Sequence, residues 1–181
     1  WVSALWAVSQ DARRRLLLRR LLWEKTMQLS EHFTLEEATH SDTATRLGIS
    51  NQPSPQQLEN MKVAAAGMEK VRELLGKPIN INSWIRLPEV NVAVGGSKVS
   101  SHMDGWAIDF VCRGFGTPLE VCKAIDAAGI KFDQMIHEFG DKGWTHISFA
   151  PALRQQKLTI FRPQNKYAIG LLTQDEYNKA V

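Results

Sequence analysis

From Leu58 onward the apolar positions follow a helical rhythm. Leu58, Met61, Val63, Ala65, Met68, Val71, Leu74 and Leu75 approximate one face of an amphipathic helix. Ser54 offers a cap, Pro55 suits the first helical position, and Gly76-Lys77-Pro78 is a stop signal. Upstream, Thr34 followed three residues later by Glu37 forms a capping pattern that predicts a short helix to about Thr39. The polar stretch that follows, through Asn51-Gln52-Pro53-Ser54-Pro55, predicts a loop.

Further along, the period shortens to two. Ile79 to Trp84 alternates as a strand, a Gly-rich stretch after it predicts a loop, and Trp106 to Val111 forms a second strand. Thr117-Pro118-Leu119-Glu120 repeats the cap-and-proline signal and starts a helix that ends near Gly129. Phe132 to Phe139 and Trp144 to Phe149 flank Gly140-Asp141-Lys142-Gly143, a hairpin signal. The pattern weakens after Pro151, where Leu158 to Phe161 predicts an edge strand. The expected fold class is α+β: a small antiparallel sheet flanked by helices.

Composition places few further bounds. The 181 residues fit one domain with an appendage, and 44% hydrophobic with 23% charged content is ordinary for a globular chain. No apolar run is long enough to span a bilayer. Cys112 and Cys122 lack metal-type spacing and are expected to be free, partly buried thiols unless the folded geometry lets them pair. Charge is uneven. Residues 1–26 hold Arg13, Arg14, Arg15, Arg19, Arg20 and Lys25 against Asp11 and Glu24, a net +4, while the remainder carries −1. The basic balance therefore belongs to the first 26 residues, and no nucleic-acid partner is expected for the main domain. Those residues also contain Trp1, Trp6, Trp23 and the tract Arg13 to Leu22, so residues 1–26 are expected to be a fused or appended cationic segment and residues 27–181 the folded domain. Residues 13–25 form a moderately amphipathic helix pattern suited to anionic membrane surfaces. A secretory signal places its charge before its apolar stretch, and here the order is reversed, so none is expected.

The chemistry concentrates in Ser100-Ser101-His102-Met103-Asp104-Gly105-Trp106-Ala107-Ile108-Asp109 and in Trp144-Thr145-His146. His102, Asp109 and His146 are three ligands suited to a divalent zinc ion. Three protein ligands leave a fourth position for water, the arrangement of a catalytic site. Gly105 allows close backbone approach and Ala107 fits a crowded site. The base is open between two residues. If Gly140 to Gly143 form the turn with Phe139 opposite Trp144, His137 stands opposite His146 and Glu138 faces away; a one-residue change in the loop exchanges them. Trp84, Trp106 and Trp144 flank these segments, as core residues or as a wall of a substrate groove. Asp104 and Asp133 are expected to be solvated or capping residues.

These motifs, in the order Asn82-Ser83-Trp84-Ile85-Arg86, Val94-Gly95-Gly96-Ser97, S-x-H-x(6)-D and W-x-H, resemble the D-Ala-D-Ala metallopeptidases, the M15 peptidases. The wider group includes lysostaphin-type peptidases and the hedgehog domain, and the resemblance runs over roughly residues 27 to 150. The likeness is strongest to phage endolysin-type members that cut the peptide part of peptidoglycan. It implies a hedgehog/D,D-peptidase-like zinc fold and a Zn2+ cofactor. It further implies hydrolysis of a cell-wall peptide amide by activated water, at the L-Ala–D-Glu bond or the D-Ala–diaminopimelate cross-link. It favours Glu138 as general base, with His137 competing, and gives Arg86 the role of stabilising the oxyanion or anchoring a substrate carboxylate. Ser100 and Trp144 become candidate substrate contacts. The implied protein is a bacteriolytic monomer, made in a host cytoplasm and acting at the cell wall. A D,D-carboxypeptidase or dipeptidase on small peptides, a non-catalytic zinc module, and membrane disruption by the N-terminal segment are the rival readings.

Overall fold

The computed structural model describes residues 27–181. The expectations for residues 1–26, including membrane contact through residues 13–25, lie outside the described residues. Six helices are described: α1 (Leu35–Thr39), α2 (Asp42–Leu47), α3 (Pro55–Leu75), α4 (Pro88–Ala93), α5 (Pro118–Ala127) and α6 (Gln174–Ala180). The strands are β1 (Asn80–Ser83), β2 (Ala107–Val111), β3 (Gln134–Glu138), β4 (Trp144–Ser148), β5 (Gln156–Ile160) and β6 (Tyr167–Ile169). They form one sheet in the order β1-β2-β4-β3-β5-β6. The class is α+β, as the pattern predicts.

Local signals set the long elements. In α3 the Ser54 hydroxyl accepts from the Gln57 N–H, the Gln57 side chain returns the bond to the Ser54 N–H, and Gly76 closes the helix in the left-handed conformation. In α5 Thr117 and Glu120 form the same reciprocal cap. Residues paired across a ladder share a face of the sheet. Ile108, Phe110, Met135 and Ile147 lie on one face and join the core with Met61, Ala64, Ala65, Met68 and Val71 of α3 and Val121, Cys122 and Ile125 of α5. The α3 face is rotated slightly from the predicted one: Ala64 is buried and Val63 is 56% exposed. Asp109, His146, Ile136 and Leu158 stand on the opposite face.

Four expectations need correction. The stretch expected to be a loop before Asn51 contains α2, capped by Ser41 and ended by left-handed Gly48. The loop before the first histidine contains α4, begun by Pro88. Leu158 to Ile160 does not lie at an edge: β5 pairs in parallel with β3, and β6 covers its other side. The Arg154 backbone and side chain bind Asp133 and steer the chain into that parallel register. Asp133 is therefore 2% exposed and paired, not solvated. Both cysteines are free and buried. Among the described residues no helix is long and apolar enough to cross a membrane.

Candidate metal centre

The site is assembled from a turn and two neighbouring strands. The turn carrying His102 rests on the first half of α3, where Gln57 Nε2 donates to the Met103 carbonyl (2.7 Å) and Asn60 Nδ2 to the Asp104 carbonyl (2.8 Å). Gly105 has φ +82°, and a Cβ there would meet Met61 and the Gln57 carbonyl. Glycine is thus required both by conformation and by the close approach to the helix. Trp84, fully buried, donates its indole N–H to the Gly105 carbonyl (3.0 Å). His102 is also fully buried, and its Nδ1–H donates to the Trp84 carbonyl at 2.6 Å. That bond fixes the ring and leaves Nε2 for the site, the usual arrangement for a metal-binding imidazole.

Asp109 of β2 and His146 of β4 are direct ladder partners. Asp109 Oδ1 lies 2.8 Å from His146 Nδ1 and 3.2 Å from His102 Nε2. The two imidazole nitrogens are 3.2 Å apart. All three ligand atoms fall within 4.8 Å of one another, and all three residues are buried. Among the described residues this is the sole cluster of its kind. Two buried imidazoles and one buried carboxylate converging on one point fit zinc in donor type and number.

Burial alone would raise the Asp109 carboxyl; the charges and hydrogen bonds of His102 and His146 outweigh it and hold it far below the ordinary carboxylate range. Burial lowers His102 despite Asp109 beside it. In His146 burial is outweighed by the Asp109 hydrogen bond and charge, so its pKa rises. Glu138 is pushed up to about 7, first by burial and then by the Asp109 charge.

Glu138 pairs with Trp144, and Ile136 with His146. Glu138 therefore shares the face of His146, while His137 pairs with Thr145 on the opposite face. This register differs from the one in which Phe139 faces Trp144. Phe139 leaves the ladder at φ 61° and gives its N–H to the Ile160 carbonyl of β5 (2.9 Å), so the connection spans five residues. His137 is 2% exposed, its Nδ1–H donates to the Leu172 carbonyl (3.1 Å), and its ring stands edge-on to Phe161. The expectation of His137 as a competing base is corrected on this ground: the sheet separates it from the three ligands.

Arg86 reaches the site from the segment after β1. Its Nη2 lies 3.6 Å from Asp109 Oδ2, its side chain is 19% exposed, and its Nε is buried without a partner. The Ser100 hydroxyl accepts from the His102 backbone N–H (3.4 Å), which ties it to the turn. Trp144 is half-buried, stands edge-on to Phe139, and has a buried, unpartnered indole N–H. Asp104 is exposed.

Two residues at the site are missed by sequence reasoning. Asn51 is buried and brackets Arg86: its Nδ2 donates to the Ile85 carbonyl (2.9 Å) and its Oδ1 accepts from the Leu87 N–H (3.1 Å). Its position in a stretch rich in turn residues masks that role. Tyr167 on β6 stands on the face that carries Asp109 and His146, in the tail where the hydrophobic pattern weakens.

Compared with known families, residues 31–148, about two thirds of the chain, match the family model described as Peptidase M15. No curated protein matches the chain.

Proposed function

Since the chain belongs to the M15 peptidase family, whose members are zinc-dependent metallopeptidases, we propose that it cleaves an amide bond in the peptide part of peptidoglycan, as a small endolysin-type enzyme. The observation that carries this reading is the buried His102–Asp109–His146 cluster with Glu138 on the same face of the sheet. When bound, zinc supplies a Lewis acid that makes water a competent nucleophile near neutral pH.

The side chains around it divide the remaining work. Glu138 takes a proton from the attacking water and returns it to the leaving amine. Burial and the Asp109 charge raise this carboxyl in the metal-free site, and a raised carboxyl suits both directions of that transfer. Arg86, held beside Asp109 and largely sheltered, presents positive charge to the carbonyl oxygen as negative charge develops on it. Trp144, next to Glu138 in the ladder, offers an aromatic wall and an unused N–H to the substrate. His102 is kept in one tautomer by Trp84. The enzyme would act at the cell wall, with residues 13–25 as an accessory contact for anionic membrane.

The test is hydrolysis of purified peptidoglycan by the wild type and by His102→Ala, with soluble products identified by mass spectrometry. New peptide termini from the wild type alone support the reading and name the bond. Release of free D-Ala from a soluble pentapeptide, with intact sacculi untouched, moves the function to a D,D-carboxypeptidase.

A further inference from the structure

Tyr167 belongs to β6, beyond the residues that match the family model. The register aligns it with the chemistry. Trp144 pairs with Glu138, Glu138 with Ile160, and Ile160 with Tyr167, one row across four strands. Partners in a row share a face, so Tyr167 stands on the face that carries Asp109, His146 and Glu138. Strands lie about 4.8 Å apart, which puts the Tyr167 backbone roughly 10 Å from that of Glu138. A tyrosine side chain directed along this row is long enough to close most of that gap.

The surroundings of the ring agree with this placement. Burial raises the Tyr167 phenol, the Glu138 and Asp109 charges raise it further, and Arg86 opposes them. The hydroxyl therefore feels all three charged groups of the site and stays protonated, a donor. The contrast with the chain's other tyrosine is informative. Tyr177 is fully buried and donates to the Lys166 carbonyl at 2.8 Å. Tyr167 is 59% exposed, and its hydroxyl makes no hydrogen bond to any described residue. Its aromatic ring is not a core element, and its hydroxyl is available.

We infer that Tyr167 is a catalytic residue whose hydroxyl donates a hydrogen bond to the scissile carbonyl oxygen of the substrate, from the side of the site opposite Arg86. Arg86 approaches from the β1 side of the sheet, beside Asp109 of β2; Tyr167 approaches from β6, across β5. A substrate carbonyl between them receives a charged donor on one side and a neutral donor on the other. Both bonds strengthen as the oxygen becomes an oxyanion. The inference rests on the metallopeptidase reading of the same site.

The experiment compares the zinc-loaded full chain with its Tyr167→Phe variant, which keeps the ring and removes only the hydroxyl. On the soluble muropeptide that the wild type cleaves, kcat should fall about a hundredfold with KM and zinc content held. An unchanged rate, or a loss confined to KM, overturns the inference. A second readout needs no activity. The chain has two tyrosines, so an ultraviolet titration resolves the exposed phenol, and Tyr167→Phe identifies it. Adding Zn2+ neutralises Asp109 and should lower the midpoint of Tyr167. If the wild type cleaves no peptide at all, the functional reading fails on its own, and the titration still decides: a midpoint indifferent to Zn2+ overturns the placement of Tyr167.

Discussion

Glu138 stands directly opposite Trp144 on the neighbouring strand, and this single pairing decides which carboxylate or imidazole faces the ligands. A one-residue slip would turn His137 to the face of His146. The pairing is held from both sides of the connection. Phe139 is drawn out of the ladder by its bond to Ile160, and a Cβ at Gly143 would run into the Glu138 carbonyl. Glu138→Gln should therefore retain zinc and lose activity by about 10²–10⁴-fold, the range for a positioned general base. His137→Gln should lower thermal stability through its lost bond to Leu172 but leave the activity of the folded fraction near wild type. Equal losses in kcat for the two variants would sink the assignment.

The metal-free site is expected to resist loading at low pH. The Asp109 hydrogen bond and charge outweigh burial and make His146 hold its proton more tightly than an ordinary imidazole, and that proton must leave when a metal binds. Zinc affinity should fall as pH drops through the range in which His146 protonates. Treatment with a chelator at mildly acidic pH should then strip the metal and abolish hydrolysis, and Zn2+ added at neutral pH should restore it. Measured affinity that does not change between pH 5 and pH 8 would contradict a ligand role for His146.

The legible parts of this molecule were those encoded locally. Ser54-Pro55, Thr117-Pro118 and Thr34 with Glu37 carry their own capping partners within one turn, and each starts a helix where the sequence predicts one. The His102–Asp109–His146 set was legible because residue type and order together are specific. What escaped depends on distant partners. The parallel seating of β5 rests on Asp133 and Arg154, the β3–β4 register on Phe139 and Ile160, and the bracket around Arg86 on Asn51. None of these pairs leaves a periodic trace. Helix α2 is a different case: Ser41 and Gly48 are ordinary end signals, hidden by a polar six-residue interior.

Asn51 positions Arg86 without touching the ligands. Its side-chain amide also donates to the Thr39 carbonyl (3.0 Å), so one buried side chain joins α1 to both flanks of Arg86. Asn51→Ala leaves three backbone groups unpaired and should destabilise the fold by about 3 kcal/mol. At temperatures where the variant remains folded, kcat should fall while zinc content stays at the wild-type level. A stability loss with kcat intact would mean that the Arg86 N–H bond to the His102 carbonyl suffices to place it.

Asp133 gives the fold a definite acid limit. The carboxyl is 2% exposed and accepts the Arg154 backbone N–H at 3.1 Å, Nε at 2.8 Å and Nη2 at 2.6 Å. The Arg154 hydrogen bonds are the largest influence on it, and with the guanidinium charge they hold its pKa below the ordinary value despite the opposing effect of burial. A carboxyl whose folded pKa is depressed stabilises the fold above its unfolded pKa, about 3.9, and that contribution is lost as pH falls through the folded value. Stability should therefore be insensitive to this group at neutral pH and decline below about pH 4. Asp133→Asn removes the charge-assisted bonds and should cost about 1–3 kcal/mol at pH 7. The variant should also lose the part of the acid slope that Asp133 contributes. Denaturant unfolding of both proteins between pH 3 and pH 7 measures the difference, and parallel curves across that range would refute the argument. Because Asp133 and Arg154 seat β5 beside β3, the same variant should loosen β6 as well. Faster amide exchange at Tyr167 and Ala168 would show the two ends of the sheet to be coupled through this pair.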